Sequence, residues 1–253
     1  MIQTAKEERN VIVNAVRRAY AAVGLDYENI STGIAPLSEI IGAYPLRIAE
    51  LPDGAGRLTY RSAIEFLGRE TKQTLPSLGG DDKPLSGFLY AYEYSGCFYG
   101  CVLTERGDPT PRRRYSAAHE LGHYLLHFLP LLEEHGRSGN REEEWLVLVE
   151  GVSLDTKGNG DEDFPTGKLT VAIGAEKKWR HAKSNTAEME HEADIFAAEL
   201  LMPEHACRAM AEKYVSRFGI KKSVVPRKLA TEFLVSYEAM KRRLIDLGLY
   251  DEV

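Results

Sequence analysis

Residues 115–127 read Tyr-Ser-Ala-Ala-His-Glu-Leu-Gly-His-Tyr-Leu-Leu-His, and this stretch decides how the rest of the chain is interpreted. We predict a helix over residues 113–128 that stops at Pro130, because proline lacks an N–H and clashes inside a helix. Two residues four positions apart lie one turn apart on the same helical face. The imidazoles of His119 and His123 would therefore both reach one divalent ion at about 2.0–2.1 Å.

Glu120 stands beside the first histidine but points to the side of the helix, so it is not needed as a metal ligand. A bound divalent ion, zinc in the first place and manganese as the alternative, lowers the pKa of a water in its open position towards ~7. A neighbouring carboxylate accepts the proton from that water and passes it to the departing amine. The pattern therefore predicts a hydrolytic metal site with Glu120 as its catalytic residue.

The five-residue pattern alone is a hypothesis, because a helix with two ordinary histidines would read the same way. Gly122 favours the metal site, since a glycine inside a helix costs ~1 kcal/mol relative to alanine and usually marks close packing. His127 lies one turn beyond His123. Because a helix rises about 5.4 Å per turn, three successive turns do not easily share one ion. We expect His127 to be structural or to face substrate.

A second helix is predicted over residues 186–202, closed by Pro203, and it offers a third metal ligand. Positions i, i+4, i+7, i+8 and i+11 share one face of this helix. They are occupied by two carboxylates followed by small and apolar residues, namely Glu190, Asp194, Ala197, Ala198 and Leu201.

This face suits close docking onto the first helix. Glu190 is the predicted third ligand, and Asp194 is predicted to accept the free N–H of a metal-bound histidine, above all His119. His181 and His191 are weaker rivals to Glu190. The alternative is a solvated acidic face, and Glu188 and Glu192 are expected to be solvated.

Composition and charge exclude several classes of protein. The chain has 253 residues, 43% hydrophobic and 28% charged, which is typical of a globular protein. The 3 cysteines are too few for a disulfide framework, and we expect buried, reduced thiols. No apolar run is long enough to span a bilayer, and residues 1–10 lack the apolar core of a signal peptide. We therefore expect no membrane association and a cytoplasmic location.

The two motifs together resemble the ImmA/IrrE-type metallopeptidases. The resemblance rests on residues 115–127 and on Glu-His-Glu-Ala-Asp-Ile-Phe-Ala-Ala-Glu-Leu-Leu-Met-Pro at 190–203, of which the second is the more distinctive. It implies a zincin-like fold, a cytoplasmic protein and a zinc ion with Glu120 catalytic. The ligands it implies are His119, His123 and Glu190. Characterised members of this family relieve transcriptional repression by cutting a helix-turn-helix repressor, often after a stress signal.

The remaining patterns predict an α+β fold, in which a small, mostly antiparallel sheet packs on helices. A metallopeptidase domain is expected over residues 1–210, with an N-terminal helix over 5–23 and an insertion over 131–183. Residues 88–92 and 97–103 read as a strand pair. The chain would end in a helical, helix-turn-helix-like segment over 211–253.

Two classes of function follow from these patterns. The first is a zinc-dependent endopeptidase that cleaves a helix-turn-helix repressor. The alternative is a metal-stabilised DNA-binding regulator or antirepressor without proteolysis. It is prompted by residues 211–253, which carry 9 basic and 6 acidic side chains although the chain's net charge is −6. A structural zinc site usually has four protein ligands and would give Glu120 no role, so the pattern favours the enzyme. A hydrolase with a small amide substrate is a third, weaker option.

Overall fold

The structure is a computed structural model, and it describes most of the chain, with gaps concentrated between residues 132 and 185. The described residues are 2–30, 33–51, 56–71, 84–94, 97–131, 133, 146–153, 166–167, 170–173, 179–180, 186–219 and 221–250. Most of the predicted insertion, including His181, lies outside them.

The helices begin and end close to the predicted positions. They are α1 (Ile2–Ala21), α2 (Leu37–Gly42), α3 (Tyr60–Thr71), α4 (Thr110–His123), α5 (Thr186–Leu201), α6 (Glu204–Glu212), α7 (Val225–Phe233) and α8 (Tyr237–Asp246). Within the part of the chain that the structure describes, no helix combines the length and the apolar character needed to cross a membrane.

The strands of the described residues join into one sheet. They are β1 (Leu46–Leu51), β2 (Leu85–Tyr94), β3 (Cys97–Glu105), β4 (Leu146–Ser153), β5 (Thr166–Gly167), β6 (Thr170–Ile173) and β7 (Trp179–Arg180). Their order is β1-β3-β2-β4-β6-β7, with β5 paired to β4. Neighbouring strands are antiparallel except β1 and β3, which run parallel. The mixed α+β class is therefore confirmed.

The central strands β2 and β3 separate two apolar cores. Successive side chains of a strand point to opposite faces of the sheet. Phe88 and its cross-strand partner Leu103 accordingly pack in the core that contains α3. Leu89 and its partner Val102 pack on the other face, in the core that contains α4 and α5. Helix α4 thus packs between the sheet and α5, with apolar contacts to each.

The described cysteines are buried thiols. Cys101 and Cys207 form no disulfide, and burial raises the pKa of each to about 12. Such thiols carry little thiolate at neutral pH and are poor nucleophiles. The side chain of Cys97 lies outside the described residues.

Helix α4 does not stop at Pro130, contrary to the prediction. The chain changes to π-helical winding over Tyr124–Phe128, and helical residues continue over 129–131. In this turn the N–H of Leu129 donates to the carbonyl of Tyr124, five residues earlier. Proline would remove an i→i−4 bond from a regular helix. Because the bonding pattern just before Pro130 is already i→i−5, the missing N–H does not end the helix.

The C-terminal helices share a core with the helices around the motifs. Leu229 and Phe233 of α7 and Leu244 of α8 belong to the same apolar cluster as α1, α4 and α5. Arg243 of α8 forms a buried ion pair with Glu199 of α5 and donates a bond of 3.1 Å from Nε to the carbonyl of Met202. The division of the chain at residues 210 and 211 remains a prediction.

Glu199 also accepts bonds from the hydroxyl of Tyr27 and, at 2.9 Å, from the N–H of Glu204. Burial acts to raise the pKa of Glu199, but Arg243 and these donors favour the carboxylate and hold its pKa below the usual range. A lowered pKa in the folded state stabilises the fold above the ordinary glutamate pKa of about 4.3. This contribution is lost as the pH falls below that value.

We expect Arg243→Leu to lower the free energy of unfolding by about 3–5 kcal/mol, because it leaves the Glu199 carboxylate buried without its cation. The measurement is urea unfolding of the full chain at pH 7. The control is Arg9→Leu, which breaks the exposed pair between Arg9 and Glu204 and should cost at most about 1 kcal/mol. Equal losses for the two variants would contradict the structural role of the buried pair.

Candidate metal centre

Helices α4 and α5 bring three metal-ligating side chains to one point. The Nε2 atoms of His119 and His123 are 2.9 Å apart. The carboxylate of Glu190 comes within 3.3 Å of the first of these atoms and within 3.7 Å of the second. Both histidines are almost fully buried and Glu190 is largely buried. The two helices thus converge one carboxylate and two imidazoles on a small, shielded volume.

The donor set fits a divalent cation of the zinc type. Two donors that each lie about 2.0–2.1 Å from a tetrahedral ion stand roughly 3.3 Å from each other. The three observed separations scatter around this value, and all the donor atoms lie within 4.8 Å of one another. Two imidazoles and one carboxylate leave a fourth position open, as in catalytic rather than structural zinc sites.

The carboxylate of Asp194 contacts His119 at the ring nitrogen that faces away from the donor cluster. Oδ1 of Asp194 lies 2.9 Å from Nδ1 of His119, and it also accepts a bond of 3.3 Å from the hydroxyl of Tyr115. Burial acts to lower the pKa of His119, but the bonds to Asp194 and Glu190 outweigh it and raise the pKa. The bond from Nδ1 leaves Nε2 facing the donor cluster.

The second histidine is held by another histidine. Nδ1 of His123 lies 3.0 Å from Nδ1 of His127, and Nε2 of His127 lies 2.8 Å from a carboxylate oxygen of Glu192. Burial and the neighbouring His119 lower the pKa of His123. The expectation that Glu192 is solvated is wrong, because its carboxylate is engaged with His127. His191, by contrast, is exposed and lies outside the donor cluster.

Glu120 of α4 is fully buried, and its side chain lies against the first residues of β2. Gly87 of β2 leaves room for its side chain, since a Cβ at position 87 would stand 3.1 Å from Cγ and 3.2 Å from Cδ of Glu120. Gly87 lies on the same face of β2 as Leu89, the face turned towards α4. The strand therefore sets the position of the Glu120 carboxylate.

The two helices touch backbone to backbone at Gly122. A Cβ at this position would stand 3.2 Å from Cα and 3.3 Å from the carbonyl oxygen of Ala193. The buried side of α5 is centred on Ala193, Phe196, Ala197 and Leu200. The buried face of α5 is therefore rotated away from the predicted one. Glu190 and Asp194 lie at the edge of the buried face, and their carboxylates stay partly exposed.

Sequence reasoning missed three contacts at this site. Glu192 lies on the flank of α5 away from Glu190, so helical periodicity did not group the two. Gly87 stands 33 residues before Glu120, and a glycine in a strand signals only a close approach, without naming the neighbour. The pairing of His127 with His123 was open to detection, because residues four apart on a helix are neighbours.

Comparison with known proteins identifies one family. The model of the M78 peptidases, described as the IrrE N-terminal-like domain, matches residues 172–245. This region contains Glu190 and Asp194 but begins after the His-Glu-Leu-Gly-His motif. The match confirms the resemblance to the ImmA/IrrE-type family and supports a peptidase. No curated protein and no solved structure is significantly similar to the chain.

We expect Gly122→Val to separate α4 from α5, because the backbone of Ala193 leaves no space for a side chain. Overpacking of this kind costs about 1–3 kcal/mol of stability, and displacing Glu190 should weaken zinc binding about tenfold. Urea unfolding and zinc titration against a chromophoric chelator measure the two effects. Gly42→Val is the matched control, since a Cβ at Gly42 meets no atom within 4 Å. Unchanged zinc affinity in Gly122→Val would refute the close-packing argument.

Proposed function

We propose that this chain is a zinc-dependent endopeptidase with a zincin-like fold that cleaves a helix-turn-helix transcriptional repressor in the cytoplasm and so relieves repression. The observation that carries the enzymatic part is the convergence of His119, His123 and Glu190 beside the buried carboxylate of Glu120. The family match supports a peptidase. The repressor substrate and the link to stress rest on the family resemblance.

His119, His123 and Glu190 would hold the ion, with manganese as an alternative occupant of the same ligands. When bound, a divalent ion supplies Lewis-acid polarisation of a carbonyl and a lowered pKa for a coordinated water. Asp194 fixes the ring of His119 so that Nε2 points towards the donor cluster. The buried surroundings strengthen each of these electrostatic interactions, because the local dielectric constant is low.

Glu120 performs the proton transfers in this proposal. It adjoins His119 in sequence but is not one of the clustered donors, so the proposed ligand set does not use its carboxylate. It accepts the proton of the attacking water and delivers it to the leaving amine. Such general acid–base catalysis contributes about 10²–10⁴-fold to the rate.

The non-proteolytic alternative requires α7 and α8 to bind DNA. These helices are joined by a short turn in which Leu234 has a positive φ of 52° and Ser236 caps α8. Recognition of a phosphate backbone depends on accessible positive charge. Arg243, however, is buried against Glu199, and the exposed charged side chains of α7 and α8 are equally divided between basic ones (Arg227, Lys228 and Arg242) and acidic ones (Glu232, Glu238 and Asp246). These two helices therefore present no excess of exposed positive charge, and this balance supports the peptidase more than the DNA-binding regulator.

We expect Glu120→Gln to lower the rate of substrate cleavage by about 10²–10⁴-fold, because the amide cannot accept the proton, while zinc still binds. The zinc-loaded full chain is incubated with a helix-turn-helix repressor encoded beside its gene, and fragments are followed by mass spectrometry. Glu65→Gln, an exposed glutamate of α3, is the control and should cleave normally. Intact repressor in the unchanged chain, or equal cleavage by Glu120→Gln, would rule the proposal out.

We expect Gly87→Ala to lower kcat while zinc affinity stays the same, because the three atoms nearest to the new methyl group all belong to Glu120, which is not a proposed ligand. Steady-state cleavage and chelator competition separate the two quantities. Gly42→Ala serves as the control for a methyl group added in open space. An unchanged kcat would show that β2 does not position Glu120.

A further inference from the structure

His127 and Glu192 form a partly buried pair that the proposed mechanism does not use. The side chain of His127 is 8% exposed and that of Glu192 is 25% exposed. They come from different helical segments, 65 residues apart in the chain. A buried imidazole bonded through both of its nitrogens to defined partners is held in one orientation. The pair therefore constrains the ring of His123, which contacts the other nitrogen of His127.

The direction of each hydrogen bond in this chain follows from chemistry. If Nε2 of His123 offers its lone pair to an ion, its proton sits on Nδ1, and Nδ1 donates to His127. Nδ1 of His127 must then accept, so the proton of His127 sits on Nε2 and is donated to Glu192. An ionised carboxylate only accepts, and it therefore fits the end of the chain. One set of tautomers satisfies every bond.

We propose that His127 and Glu192 are positioning residues that fix the tautomer and the ring orientation of His123 for metal binding. This inference rests on the proposed function, since it concerns a ligand of the same site. The two ligand histidines are then held differently. Asp194 reaches His119 directly at 2.9 Å, whereas Glu192 acts on His123 through the intervening imidazole of His127.

The geometry excludes the other roles considered for His127. It is not one of the clustered donors, and its ring nitrogens face His123 and Glu192. It therefore has no nitrogen left for an ion or for a substrate.

The π-helical turn at Tyr124–Phe128 supports the same role. Such turns are rare in proteins, and a large share of those that occur lie at functional sites. This one begins directly after His123 and contains His127, whose ring centroid lies 5.1 Å from that of His123. The local departure from regular winding therefore coincides with the segment that sets the relation of the two rings.

The test measures zinc affinity of the full chain by competition with a chromophoric chelator, together with the visible spectrum of the cobalt-substituted protein. Loss of an outer partner of a metal ligand weakens binding about 10–100-fold. We expect that loss in His127→Leu and in Glu192→Leu, with a changed cobalt spectrum. The double variant should lose no more than either single variant, because the two residues act through one chain of bonds.

His127→Gln provides the rescue, since an amide offers one acceptor and one donor group and preserves the direction of both bonds. It should restore most of the affinity lost in His127→Leu. His191→Ala, which removes an exposed histidine of α5, is the matched control and should bind zinc normally. Thermal unfolding of the metal-free variants shows whether the fold is retained.

Full zinc affinity in a folded His127→Leu, or no rescue by His127→Gln, overturns this inference and leaves the proposed function intact. If the leucine variants do not fold, His127→Asn and Glu192→Ala, whose side chains are too short to complete the chain of bonds, are compared with the unchanged chain, and additive losses in their double variant overturn the inference. If the unchanged chain binds no zinc, the proposed function fails as well.

Discussion

The close approach of α4 and α5 is the constraint on which the site depends. The proposed ligands come from two helices, and Glu190 follows His123 by 67 residues. Their donor atoms meet only because the backbones touch at Gly122 and Ala193. A side chain between the helices would move Glu190 away from both imidazoles. The cost of a glycine inside α4 is therefore offset by the geometry that it permits.

The arrangement also resolves an electrostatic problem. Burying imidazoles and carboxylates is unfavourable unless each is hydrogen-bonded or paired. Helix α5 supplies the partners of these imidazoles. Its carboxylates at alternate positions, Glu190, Glu192 and Asp194, each lie near a different ring nitrogen. A fourth carboxylate, Glu199, pairs with Arg243 and fastens the C-terminal helices to the same element. Four of the acidic side chains of α5 therefore pair with a histidine or an arginine of the fold, whereas Glu188 is exposed.

Much of this could be predicted from periodicity. The spacing of His119 and His123 and the length of α5 are local properties. Helix α5 begins and ends near the expected residues, and α4 begins near the expected residue. The parallel pairing of β1 with β3 and the contact of Gly87 with Glu120 depend on tertiary packing, which no local pattern encodes. The continuation of α4 past Pro130 escaped prediction because propensity rules assume regular α-helical winding.

The proposal that Glu190, rather than its neighbours, is the third ligand rests on which carboxylate reaches the two motif histidines. The three carboxylates start from successive alternate positions, so the helix turns them to different sides. Only the carboxylate of Glu190 approaches the Nε2 atoms of both motif histidines, whereas Asp194 faces the opposite nitrogen of His119. Glu192 instead contacts His127, which lies outside the donor cluster. Their positions are therefore not interchangeable, and the order of acidic residues along α5 specifies which one faces the donor cluster.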